Sequence, residues 1–184
     1  MTRSLISKHL ALGDLKGALR DSEYLLSLLY QTGRSEEALA LVEIMKDYVH
    51  QAELGPWTQL MVEGQRLQVL SKKGEYDKIL DTVAGLREKM RHMPEKSNQE
   101  EMVDTSAAKF SILDAGRSAA VLLRKNELGL ELNTEIIDIQ RSRGATKLEL
   151  ARHSFNGFYP LLYLERYDEA EKLLISCLEV FKRE

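Results

Sequence analysis

Three stretches of the chain spell the same turn into a helix: Gly33-Arg34-Ser35-Glu36-Glu37-Ala38-Leu39, Gly74-Glu75-Tyr76-Asp77-Lys78-Ile79-Leu80 and Glu165-Arg166-Tyr167-Asp168-Glu169-Ala170-Glu171. With Ala38, Ile79 and Ala170 set as equivalents, the residue four on is Val42, Val83 or Leu174. The residue seven on is Met45, Leu86 or Cys177, and the residue eleven on is Val49, Met90 or Phe181. Those offsets fall on one face of an α-helix. A chain that turns tightly and then presents such a stripe closes a second helix onto the one before it, so the repeated unit is a helical hairpin.

Composition agrees. Three prolines and 7% aromatic residues, with leucine, glutamate, alanine, lysine and arginine abundant, predict an all-α protein. The net charge of −3 comes from 26 basic and 29 acidic residues with no basic stripe, which argues against a nucleic-acid partner. No apolar run reaches the roughly 18 residues of a membrane span. The opening Met1-Thr2-Arg3-Ser4-Leu5-Ile6-Ser7-Lys8-His9 breaks its apolar positions with charge before a secretory core can form. The expectation is a soluble, cytoplasmic protein without membrane attachment. A lone cysteine, Cys177, excludes an internal disulfide and a thiolate metal cage, and its place on the apolar stripe marks it for core packing.

Along the chain, residues 2–12 predict a short amphipathic helix stopped by Gly13-Asp14, and residues 16–30 a second. Gly13 and Gly33 are too close for two full helices, so the first unit is expected to be truncated or fused into one long helix. Ser35 is the expected N-cap of the third helix, with Glu36 and Glu37 in its first turn where the helix dipole favours negative charge. A fourth helix carries Trp57, Leu60, Met61, Gly64 and Leu67, and a fifth carries Ile79, Val83, Leu86 and Met90. Met93-Pro94-Glu95-Lys96 reads as the most flexible connection. Ser97 and Glu100 read as a capping box opening a long sixth helix to about Lys125. Its Ala107, Ala108, Ala115, Gly116, Ala119 and Ala120 suit close crossing by neighbours. A seventh helix covers about 127–141, and Thr146 with Glu149 forms a second capping box. Pro160, just after Asn156-Gly157, predicts a kink or break in the eighth. The last helix starts at Tyr167 and should leave a sticky outer face.

The turns Gly74-Glu75-Tyr76-Asp77 and Tyr167-Asp168-Glu169-Ala170 resemble that of the tetratricopeptide repeat, and the likeness covers about residues 19–181. Turn spacings of roughly 41, 52 and 39 residues depart from the family's 34, which requires longer helices. Long, irregular repeats of this kind resemble those of large bacterial and archaeal multidomain signalling proteins, the stretch from Arg141 to Phe181 most of all. The resemblance implies an α-α superhelix of antiparallel hairpins with about nine helices, one domain over 1–184 that is a segment of a longer array. It also implies a protein-protein interaction scaffold that holds a peptide or protein segment in a concave groove lined by the first helix of each hairpin. Counting back from each turn nominates Tyr24, Ser27 and Tyr30; Gln68 and Ser71; Arg117 and Arg124; and Arg152, Asn156, Tyr159 and Tyr163. Tyrosine and arginine suit such a groove, being amphipathic or rich in donors. The competing reading is packing for the tyrosines and solvation for the arginines. The lysine and asparagine clamp that some family members close on a carboxylate does not carry over, because Glu23, Ser27, Gln65, Met61 and Arg117 stand at its positions.

No catalytic constellation emerges, and no cofactor or metal is expected. His9, His50, His92 and His153 are scattered. Glu88 with His92 and Glu149 with His153 read as surface pairs one helical turn apart, and the Glu-x-x-His spacing of di-iron bundles is absent. There is no G-x-x-x-x-G-K-[ST] loop and no nucleophile on a strained turn. Three functions stand: a peptide-binding module; a structural or sensor segment of a larger signalling protein, its groove filled intramolecularly; and an all-helical enzyme, which would need a polar cluster across Glu88, His92, Glu149 and His153. Uncapped terminal helices add self-association as an expectation.

Overall fold

A computed structural model describes residues 2–183, and within them every regular element is an α-helix. In chain order these are α1 (Thr2–Ala11), α2 (Leu15–Gln31), α3 (Ser35–Gln51), α4 (Pro56–Lys72), α5 (Tyr76–Arg91), α6 (Thr105–Leu122), α7 (Asn126–Ser142), α8 (Lys147–Phe155), α9 (Phe158–Tyr163) and α10 (Tyr167–Arg183). The fold is all-α, as composition and periodicity predict. α8 and α9 are one helix broken at Asn156-Gly157, which brings the number to the nine expected. At the break the Asn156 and Gly157 amides donate only three residues back, to the carbonyls of His153 and Ser154 at 3.2 and 2.9 Å. Pro160 thereby falls in the first turn of α9, where a missing amide proton leaves no intrahelical bond unmade.

Seven helices end the same way. The second residue past the helix turns left-handed, with φ between 50 and 78°, at Gly13, Gly33, Glu53, Gly74, Arg124, Gly144 and Glu165. The following amide then donates five residues back, as Arg34 does to Leu29 at 2.9 Å and Leu54 to Val49 at 3.0 Å, so carbonyls orphaned at the helix end are satisfied. These reversals separate α1 from α2, so the first unit is truncated and not fused. They also displace the expected cap of α3. One residue remains between Gly33 and the helix, so Arg34 holds the cap position and Ser35 is the first helical residue. The Arg34 guanidinium pairs with Glu37 at 2.6 Å instead of bonding the helix amides.

Packing divides the chain into two compact units, Met1–Glu75 with His92–Lys109 and Tyr76–Arg91 with Phe110–Glu184, so α6 runs through the division. In the first, α2 packs on α1 and α3, and α3 on α4. Its core joins Leu19, Leu26 and Leu29 of α2 to Ala38, Leu41, Val42, Met45 and Val49 of α3, with Leu54 and with Val62 and Val69 of α4. Burial of such side chains contributes about 1.5 to 3 kcal/mol each for the larger ones.

The connection after α5, which composition marks as the most flexible, is hydrogen-bonded to this unit. α4 opens with Pro56 behind Gly55 and has no capping side chain of its own. The Glu101 carboxylate supplies one, accepting from the amides of Trp57 at 3.1 Å and Thr58 at 2.7 Å and from the Thr58 hydroxyl at 2.7 Å. The Met102 amide donates back to Thr58 Oγ1 at 2.9 Å, the Trp57 indole to the Pro94 carbonyl at 3.0 Å, and the Gly55 amide to the Glu100 carbonyl at 2.8 Å. Gly55 is needed here, since a Cβ would stand 2.1 Å from Glu101 Oε1. The capping box read at Ser97 and Glu100 does not form. α6 starts later and is capped by Asp104, which accepts from the Ala107 amide at 3.0 Å, while Ser97 accepts from Gln99 and Glu100 pairs with Lys16.

In the second unit α7 packs on α8 and α9, and α10 on the same two. Gly116 of α6 lets Val83 of α5 and Leu132 of α7 close in, for a Cβ there would lie 2.8 and 3.3 Å from them. Arg87 of α5 reaches Glu131 of α7 at 2.6 Å and also pairs with Glu135. Cys177 is buried with its thiol toward the Ala151 carbonyl, and burial pushes the thiol pKa up, as suits a packing residue. The three residues set as repeat equivalents, Ala38, Ile79 and Ala170, are all buried to within 1%.

Glu101→Ala should lower stability by about 1 to 2 kcal/mol, the range for losing a charge-assisted helix cap. Urea unfolding of the two proteins checks this, and an unchanged midpoint would mean that the 92–104 connection contributes nothing to α4.

Candidate binding groove

Within the first unit, residues 23, 27 and 30 of α2 share one helical face, and it meets residues 65 and 68 of α4 across a groove of about 330 Å³. Leu26 and Val69 form the apolar floor. Ser27, Tyr30 and Gln31 line one wall, Gln65 and Gln68 the other, and Glu23 supplies the only charge. The Gln65 side-chain amide donates to Glu23 Oε1 at 3.3 Å, while Gln65 Oε1 is buried without a hydrogen-bond partner. Lys72 Nζ sits 4.8 Å from the centre of the Tyr30 ring.

Glu23 is half-buried and makes no ion pair among the described residues. Burial raises its carboxyl above the ordinary carboxylate value, outweighing the Gln65 hydrogen bond and the field of Arg20, which both lower it. A carboxylate that pays desolvation without a counter-charge is a feature that folding alone does not require.

Of the residues nominated from the sequence, Ser27, Tyr30 and Gln68 come together here. Tyr24 is 62% exposed and outside the groove lining, and Ser71 is half-buried and also outside it. The others belong to the second unit. Arg117 turns onto its own helix, donating to Asp114 at 2.6 Å and Ser118 at 3.4 Å. Arg124 occupies the left-handed turn after α6, its guanidinium 4.1 Å from the centre of the Tyr163 ring. Arg152 is exposed on α8, Asn156 sits at the helix break, and Tyr159, 58% exposed, meets Phe158 edge-on at 5.5 Å. Glu23, Gln31 and Gln65 were not nominated. Their signal was the shared helical face with Ser27, Tyr30 and Gln68.

Glu149 and His153 make different principal contacts, and His153 acts on the Glu149 carboxyl only through its field. Glu149 completes the capping box with Thr146, and the Thr146 backbone amide at 2.8 Å, together with its hydroxyl, holds the Glu149 carboxyl below its ordinary value. His153 meets Phe110 edge-on at 5.4 Å. Among the described residues no cluster of His, Cys, Asp and Glu could hold a metal ion, and no helix is long and apolar enough to cross a membrane. Comparison with family models, curated proteins and solved structures returns no match to this chain.

The raised Glu23 pKa gives a signed expectation. The native state binds that proton more tightly than the unfolded state, so stability falls as pH rises through the unfolded carboxylate value toward the native one. Glu23→Gln should therefore raise Tm at pH 7, with the gain vanishing near pH 4. Thermal melts at the two pH values measure it, and a loss of Tm at pH 7 would show that the carboxylate is stabilising.

Proposed function

We propose that the chain is a helical-repeat binding module of the tetratricopeptide-like kind, cytoplasmic and without chemistry of its own, that holds a peptide or protein segment along the α2/α4 groove. The observation that carries this reading is the buried, unpartnered Gln65 Oε1 beside the unpaired Glu23 carboxylate, in a groove with an apolar floor and amide walls. Gln31, Gln65 and Gln68 offer both donors and acceptors to the backbone of a bound segment. Tyr30 adds contact area at small ordering cost. In the proposed superhelix α2 and α4 are the first helices of successive hairpins, the elements that line the concave side. Screening a random peptide library and then measuring the recovered peptides on Tyr30→Ala/Gln68→Ala tests the site. The double variant should bind at least tenfold more weakly, about 1.4 kcal/mol, with an unchanged melt. Equal affinity would remove the groove from the function and favour a structural segment.

A second copy of the chain is the occupant proposed for the outer face of α10. In α3 the positions Val42, Lys46 and Val49 face the next hairpin: the valines are at most 2% exposed, and Lys46 pairs with Glu63 of α4 at 2.7 Å. The same register in α5 places Arg87 against Glu131 and Glu135. In α10 it places Leu174, Leu178 and Phe181, the last two 43% and 38% exposed. A leucine where α3 and α5 carry a cation calls for an apolar counterpart, and α10 itself presents one, as a two-fold contact requires. Sedimentation equilibrium should give concentration-dependent dimers for the wild type and monomers for Leu178→Glu at equal thermal stability. A wild type that stays monomeric at high concentration sinks the idea.

A further inference from the structure

We infer that the α2/α4 groove recognises an arginine side chain of its bound segment, the guanidinium pairing with Glu23. The inference rests on the groove reading above and names the chemistry that gives it selectivity. Glu23 is the groove's only charged lining group and is half-buried with one carboxylate oxygen already accepting from Gln65. The second oxygen accepts from no donor among the described residues, and Gln65 Oε1 beside it is an unpartnered buried acceptor. Ser27 Oγ lies one turn further along α2, where it accepts from the Gln31 side-chain amide at 3.4 Å and keeps a second lone pair to accept again. These three acceptors around one concavity suit the planar fork of a guanidinium, which carries five donors and no acceptor. A lysine ammonium, a compact point charge, would leave part of that fan unmet. The groove's aromatic wall already accommodates a cation, since Lys72 stands over Tyr30. Nor do the nearby cations fill the site. Arg20 acts on Glu23 only through its field, and Lys72 is engaged at the tyrosine end. Binding a guanidinium would convert a charge that costs folding free energy into a paired one, so the penalty is recovered only in the complex.

The test is a nitrogen-15 NMR titration of the intact chain with N-acetyl-arginine amide, N-acetyl-citrulline amide, its neutral near-isostere, and N-acetyl-lysine amide, repeated on Glu23→Gln. The expected result is progressive shifting of the Gln65 side-chain amide and of the Ser27 and Tyr30 backbone amides with arginine. Citrulline and lysine should act at least tenfold more weakly, and the arginine response should be lost in Glu23→Gln. Equal response to citrulline or lysine, or an arginine response that survives Glu23→Gln, overturns the inference while leaving the groove itself standing. So does a groove that is silent to all three yet binds library peptides lacking arginine. Silence to all three with no library peptide bound there removes both readings.

Discussion

The single left-handed residue that follows seven of the described helices is the constraint on which the rest of the molecule depends. It reverses the chain within two residues, so the next helix starts while still in contact with the last. The residue that opens that helix then accepts, through its carbonyl, the amide of a residue four further on. Asp14 does so from Ala18, Arg34 from Ala38, Lys125 from Gly129 and Arg166 from Ala170, each at 3.0 Å. All four donating residues are small and buried. After these four turns the small residue sets how closely the two helices approach, whereas the buried Ile79 holds the same position after Gly74. Apolar residues four, seven and eleven positions on follow along the same face.

Where this rhythm is interrupted, after α5, a polar device replaces it. Glu101 and the carbonyls of Pro94 and Glu100 satisfy donors at the start of α4, a helix that begins with proline and carries no cap. Backbone donors left bare at a partly buried helix start would cost free energy comparable to lost hydrogen bonds. A connection that looks loose by composition is therefore held by its acids and carbonyls.

The hairpin turns at Gly33, Gly74 and Glu165 were legible because glycine or an acidic, tyrosine-bearing motif marks them. The reversal after α6 was legible to within about two residues, as a helix end near Lys125, but the left-handed residues Glu53 and Arg124 themselves were not, because a left-handed glutamate or arginine carries no local signature and is imposed by the packing of the helices on either side. The capping box at Thr146 and Glu149 formed as expected, but two other cap assignments failed for a related reason. Ser35 and Ser97 are good capping residues by type, but the reversal leaves the cap position to Arg34, and α6 begins beyond Ser97 at the Asp104 cap. At the candidate site, the helical face carrying Ser27 and Tyr30 could be counted from the sequence. That Arg117 would be drawn to Asp114 on its own turn, or that an unpaired Glu23 would lie between Ser27 and Gln65, depends on distances that a count does not supply.

The capping of α4 by Glu101 also sets an order in time. The ligand lies 43 residues downstream of Thr58 in the chain. On a ribosome adding about 5 to 20 residues per second, the start of α4 emerges about 2 to 9 s before the carboxylate that completes it. During that interval α5 is synthesised, and the first unit cannot close until α5 and the connection behind it have both left the exit tunnel. Completion of the first unit is in this sense a signal that the second has already begun.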